Sequence, residues 1–264
     1  MIDYRQIDEG IRNIIFKLNS NGVRTLGSCD GMLAHHKGRN VQNAYVCLAK
    51  SPQTLDLMAA CFKDRANFQI ALRNINYREP DVGIEYFISF HNKHGRRTDY
   101  FNRIVTGIME GSITVSDSER KMLSDLESIL EERDSALGFS VNFDHQYKLP
   151  DWNQTKKTNY LQISDCSPTR QSIDLSWLRN AISQKFGIQE KAVEEVFDKE
   201  EFIIMAGNSF YNPITIYFTD ENIARIFEVM KYARTAEATL HNSEVADERI
   251  LKDYDVVPWD QELE

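Results

Sequence analysis

The sequence predicts an α/β protein of the α+β kind, with helices covering mixed or antiparallel sheets, in two domains. Three observations carry that expectation. The chain has 264 residues, 42% of them hydrophobic and 27% charged, an ordinary globular composition with material for a core. Runs with helical periodicity are interleaved with short, β-branched or strictly alternating runs. In the first half these follow the order helix, strand, strand, helix, strand, strand, helix, which suits a helix-covered mixed or antiparallel sheet.

Taken in order, Ile7, Ile11, Ile14, Ile15 and Leu18 lie on one face of a helix over residues 3–20, and Asn21-Gly22 ends it. Val23 to Cys29 reads as a short strand. A polar stretch, Asp30 to Asn43, leads to the apolar strand Ala44 to Ala49. Ser51-Pro52 is a helix start, because serine caps free N–H groups and proline suits the first helical position. That helix reaches about Asp64. Phe68, Ile70 and Leu72, then Ile84, Tyr86, Ile88 and Phe90, alternate as an antiparallel pair around Arg78-Glu79-Pro80-Asp81. A helix follows from Asp99 to Met109, and Ser116 with Glu119 forms a capping box for the next.

The polar stretch from Leu149 to Lys157 is the expected boundary between a basic domain, 1–148, and an acidic domain, 158–242. Beyond it the pattern gives a strand near Tyr160 to Ser164 and a helix through Leu175, Leu178, Ile182 and Phe186. A helix near Gln189 to Asp198 comes next, followed by strands Phe202 to Ala206 and Ile214 to Phe218. A long helix from Glu221 to about Leu240 completes the domain. Residues 243–264 hold eight acidic and two basic side chains and read as an acidic tail. Val256, Val257 and Trp259 within it suit a segment that docks on protein.

Charge divides the chain more sharply than pattern does. Residues 1–110 contain 15 Lys and Arg against 11 Asp and Glu, and the remainder contains 16 against 29. A basic first part implies an anionic partner, and an acidic second part a basic one. No apolar run reaches the roughly 18 residues of a membrane span, and Met1 to Arg5 lacks the layout of a secretory signal. A cytoplasmic protein without a membrane partner is expected. Cys29, Cys47, Cys61 and Cys166 show no C-x-x-C pair, so free thiols are expected, with Cys47 and Cys61 as small buried hydrophobes.

The segment from Thr25 to Gly31 carries most of the functional expectation. It sets Cys29 at the end of a strand, on the lip of a turn that Gly31 makes possible and that Ser28 and Asp30 can hydrogen-bond. Sites gather at such strand ends. Cys29 is the candidate nucleophile or ligand, provided that nearby cations stabilise its thiolate. The pattern T-x-x-S-C-x-G, here Thr25, Ser28, Cys29 and Gly31 behind a helix, resembles a segment of the tRNA wybutosine-synthesizing methyltransferase family. It also resembles small bacterial proteins in which S-C-x-G is followed by His. The resemblance spans residues 7–49 and implies S-adenosylmethionine and a tRNA substrate. Met32 stands where those families place Arg or His, so that residue is either missing here or replaced by His35 or His36.

Two basic segments point to the same place. His35-His36-Lys37-Gly38-Arg39 follows the first strand, and His91-Asn92-Lys93-His94-Gly95-Arg96-Arg97 follows the strand ending at Phe90. If those strands run parallel in one sheet, both segments emerge at one edge and form a cradle for phosphate. The expected roles are acid, base or ligand for His35 and His36 beside Cys29. Ser28, Asp30, Gly31, Lys37, Arg39, His91, Lys93, His94, Arg96 and Arg97 are the expected ligand contacts. Zinc on Cys29 and these histidines is chemically possible, but the spacing matches no standard finger. The function expected is binding or modification of a nucleotide or RNA. The alternative is a non-enzymatic adaptor that binds a protein partner through its acidic half and tail.

Overall fold

Alternation along the strands decides which side of the sheet carries the helices. In the computed structural model, which describes residues 4–32, 43–74, 83–91, 96–131, 137–148, 155–165, 175–190, 203–206 and 213–253, nine strands form one sheet. They are β1 (Thr25–Cys29), β2 (Asn43–Leu48), β3 (Gln69–Asn74), β4 (Ile84–His91), β5 (Leu137–Lys148), β6 (Thr155–Asp165), β7 (Gln189–Glu190), β8 (Ile203–Ala206) and β9 (Ile214–Phe218). Their spatial order is β1-β2-β4-β3-β5-β6-β9-β8-β7. Only β7 and β8 pair in parallel, so the sheet is mixed but overwhelmingly antiparallel.

Six helices are described: α1 (Glu9–Ser20), α2 (Pro52–Lys63), α3 (Arg96–Met109), α4 (Asp117–Glu131), α5 (Ser176–Phe186) and α6 (Ile223–Asp253). Their apolar stripes all bury in one cluster with every second residue of the strands. These include Val46 and Leu48 of β2, Ile70 and Leu72 of β3, and Tyr86 and Ile88 of β4. The helices therefore cover one face, and the strands' intervening residues form the other.

Local chemistry matches the expected starts. The Thr54 N–H donates to Ser51 Oγ at 3.0 Å with Pro52 opening α2, and the Glu119 N–H donates to Ser116 Oγ at 3.5 Å. Phe68, which leads into β3, holds three rings at 5.7–5.8 Å: Phe90 near the end of β4, and Tyr100 and Phe101 in α3. That cluster fixes where β4 ends and α3 begins.

Three expectations change. β5 and β6, which flank the expected boundary, pair from Leu137↔Asp165 to Lys148↔Thr155, so one sheet takes strands from both sides of it; residues 149–154 lie outside the described residues. Gln189 and Glu190, the first two residues of the helix expected near Gln189 to Asp198, form β7 beside β8, where pairing overrides their helix propensity; residues 191–198 lie outside the described residues. The expected tail begins inside α6, which continues to Asp253 because residues 243–253 hold neither glycine nor proline. Residues 254–264, with Val256, Val257 and Trp259, lie outside the described residues. No described helix is long and apolar enough to cross a membrane.

Candidate functional site

Strand direction brings the two expected segments to one end of the sheet. β1 and β4 both run antiparallel to β2, which lies between them, so they point the same way. Cys29, at the end of β1, pairs with Tyr45 of β2. His91, at the end of β4, pairs with Asn43, the first residue of β2. Two strand spacings, roughly 10 Å, therefore separate the exits of the two segments. His35, His36, Lys37, Arg39, Lys93 and His94 lie outside the described residues, as do the side chains of His91 and Arg96.

Arg97 is turned away from that gap. It donates to Asn67 in the turn between α2 and β3, where Asn67 and Tyr100 also donate to Asp64, at 2.9 and 2.7 Å. Neighbouring Asp220 accepts from Arg65 and Asn159, and the Arg65 guanidinium holds its carboxyl below the usual range. These contacts bind the helix layer to the sheet end.

The Ser28–Gly31 turn is a lock between α1 and β1. The Asp30 N–H donates to Asp8 Oδ2 at 3.1 Å. In return, the fully buried Asp30 carboxylate accepts from the N–H of Gly10, in the first turn of α1, at 3.3 Å and from the Met32 N–H at 2.9 Å. A carboxylate there also meets the positive end of the helix. Gly31 has φ +68° and crosses so close to β2 that an added Cβ would lie 2.5 Å from the Ala44 nitrogen.

Cys29 belongs to this lock. It is 6% exposed and its Sγ accepts from the Gly31 N–H at 3.3 Å. Burial, with help from the carboxylates of Asp8 and Asp30, pushes its thiol up. The sequence led us to expect cations beside it, but its described charged neighbours are anions, the wrong sign for a stabilised thiolate. Ligand atoms of Asp8, Cys29 and Asp30 lie within 4.8 Å of one another. Each of these residues already accepts a backbone hydrogen bond, so the cluster is explained as structure. In the native protein Cys29 is expected to react with a thiol reagent at pH 8 more slowly than a free cysteine. Peptide mapping after timed labelling checks this, and fast labelling of Cys29 would restore the nucleophile.

The sheet face away from the helices holds residues that the sequence reading passed over. One cross-strand row runs Phe87, Ala71, Asn142, Tyr160, Tyr217 over β4, β3, β5, β6 and β9. Tyr45 stacks on Phe87 at 5.6 Å, the Arg73 guanidinium lies over the same ring at 4.5 Å from its centroid, and Arg73 pairs with Glu85 at 3.3 Å. Ala71 is 1% exposed, the floor of a depression of about 220 Å³ between Tyr45 and Phe87 on one side and Tyr160 on the other. Burial pushes the Tyr45 and Tyr160 hydroxyls up, and the Cys47 thiol to about 12. The available signal was an aromatic in the polar phase of each alternating strand.

Comparison with protein-family models, with curated proteins and with solved structures finds no match to this chain.

Proposed function

We propose that the protein binds a phosphate-bearing ligand, a nucleotide or RNA, where β1 and β4 end. The observation that supports this most directly is the parallel course of those two strands on either side of β2, each leading into a segment rich in His, Lys and Arg. Two cationic segments leaving one end of a sheet about 10 Å apart suit a chain of phosphates. The resemblance of Thr25–Gly31 to a tRNA-modifying family points to the same ligand class. In this reading the Asp8–Cys29–Asp30 lock holds the end of β1 in place, and Lys37, Arg39, Lys93 and Arg96 meet the phosphates.

The test is titration of fluorescent single-stranded RNA and of ATP at several salt concentrations. Lys37→Ala with Arg39→Ala, and Lys93→Ala with Arg96→Ala, are each expected to weaken binding by about tenfold or more. Each lost contact should lower the salt slope by about one. Affinity without salt dependence, or folded variants that bind as the wild type does, would overturn the proposal.

A further inference from the structure

We infer that the depression on the sheet face away from the described helices is a slot for a planar nitrogen heterocycle, the nucleobase of the ligand. The inference takes its ligand class from the nucleotide reading, but it stands on different residues. Phe87 and Tyr160 share one cross-strand row, three strand spacings apart, with alanine and asparagine between them. That is roughly 14 Å between backbones at ~4.8 Å per step. Small residues between aromatic ones leave a gap, and a row of rings without it would simply close over the sheet.

Size and lining select the occupant. About 220 Å³ is below the roughly 300–1,000 Å³ of pockets that enclose drug-sized ligands, and suits one ring system with the rest of the molecule outside. Phe87 is flanked by Tyr45 of β2 at 5.6 Å and by the Arg73 guanidinium of β3 at 4.5 Å, so the flat surfaces that the slot offers a base are the Arg73 plane resting on Phe87 and the Tyr160 ring, and base stacking tolerates any base. The amides of Asn142 and Gln69 line the slot; the Asn142 nitrogen donates to Ser140 and the Gln69 oxygen accepts from Ser89, so the groups that would meet the edge of a base are the Asn142 oxygen as acceptor and the Gln69 nitrogen as donor.

Orientation follows from the register. Asn43 lines the slot and pairs with His91, from which the second basic segment continues. His91 lies four residues beyond Phe87 on β4, about 13 Å of strand at ~3.3 Å per residue. A ring held at Phe87 therefore points its sugar and phosphates along β4 toward the basic segments. That distance is within the span of a nucleoside triphosphate.

Calorimetric titration of the full chain separates the two sites. Adenosine and cytidine, which carry no phosphate, probe the slot, and ribose 5-phosphate and pyrophosphate probe the basic segments. Phe87→Ala and Tyr160→Ala are each expected to weaken nucleoside and nucleotide binding about ten- to a hundredfold, leaving pyrophosphate binding unchanged. Tyr160→Phe should retain nucleoside affinity. Melting temperature and circular dichroism identify variants that fold. Nucleosides that do not bind, or folded alanine variants with wild-type nucleoside affinity, would overturn the slot. Loss of pyrophosphate binding alone, with nucleosides still bound, would remove the phosphate site and leave the slot standing.

Discussion

Gly31→Ala is expected to lower the unfolding free energy by about 2–5 kcal/mol in urea denaturation. Two costs add. A left-handed backbone costs a non-glycine residue about 1–2 kcal/mol, and forcing atoms into packed space costs about 1–3 kcal/mol more. The new Cβ would lie 2.5 Å from the Ala44 nitrogen and 2.6 Å from the Asn43 carbonyl carbon. Both are backbone atoms of β2, so no rotamer can make room. Gly22 supplies the control: its φ is +80°, but nothing lies within 4 Å of its added Cβ. Gly22→Ala should therefore pay only the first cost, about 1–2 kcal/mol. Equal losses in the two variants would mean that the approach of Gly31 to β2 is unimportant. Because β2 starts beside His91, the shift should also disturb binding at the sheet end.

The parts of the fold that were legible in the sequence are those that one segment determines by itself. Ile11, Ile14, Ile15 and Leu18 are all buried on α1, as their spacing requires, and Ser51 and Ser116 accept from the N–H groups their caps predict. β3 and β4 pair antiparallel as their alternation suggests. β5 is equally legible, since Leu137, Phe139, Val141 and Phe143 alternate and are buried, but the polar Leu149–Lys157 stretch beside it has the composition of a domain boundary. A hairpin connection and a linker share the same composition, and only pairing across the gap distinguishes them. At the site, the sequence placed Cys29 at a strand end beside a glycine turn. It pointed to Asp30 in that turn but gave no sign of Asp8 or of the contact between them, because contacts between residues 22 positions apart depend on how α1 packs on β1. The slot was hidden for a related reason. Phe87, Ala71 and Tyr160 become neighbours only through a strand order that places β4 beside β3 and β3 beside β5.

Asp30→Ala is expected to destabilise the protein by about 2–4 kcal/mol. The fully buried carboxylate accepts from two backbone groups, the Gly10 and Met32 N–H, and its removal strands both. A buried donor without a partner costs about 1–3 kcal/mol. Asp30→Asn keeps one acceptor oxygen and should cost less than Asp30→Ala. The two parts of the lock can be tested against each other, because Gly10 has no Cβ where the carboxylate needs space: an added one would lie 2.8 Å from Asp30 Oδ2. Gly10→Ala alone should therefore be destabilising, despite the roughly 0.5–1 kcal/mol that alanine gains over glycine within a helix. In the Asp30→Ala background the clash is gone, and Gly10→Ala should become neutral or stabilising. The double-mutant cycle is thus expected to show coupling of about 1 kcal/mol or more. Additive effects would mean that the carboxylate does not press on α1 and that the end of β1 is held by something else. A coupled pair would establish that the start of α1 and the Ser28–Gly31 turn form one rigid unit, which is what a basic segment leaving β1 needs to keep its position beside β4.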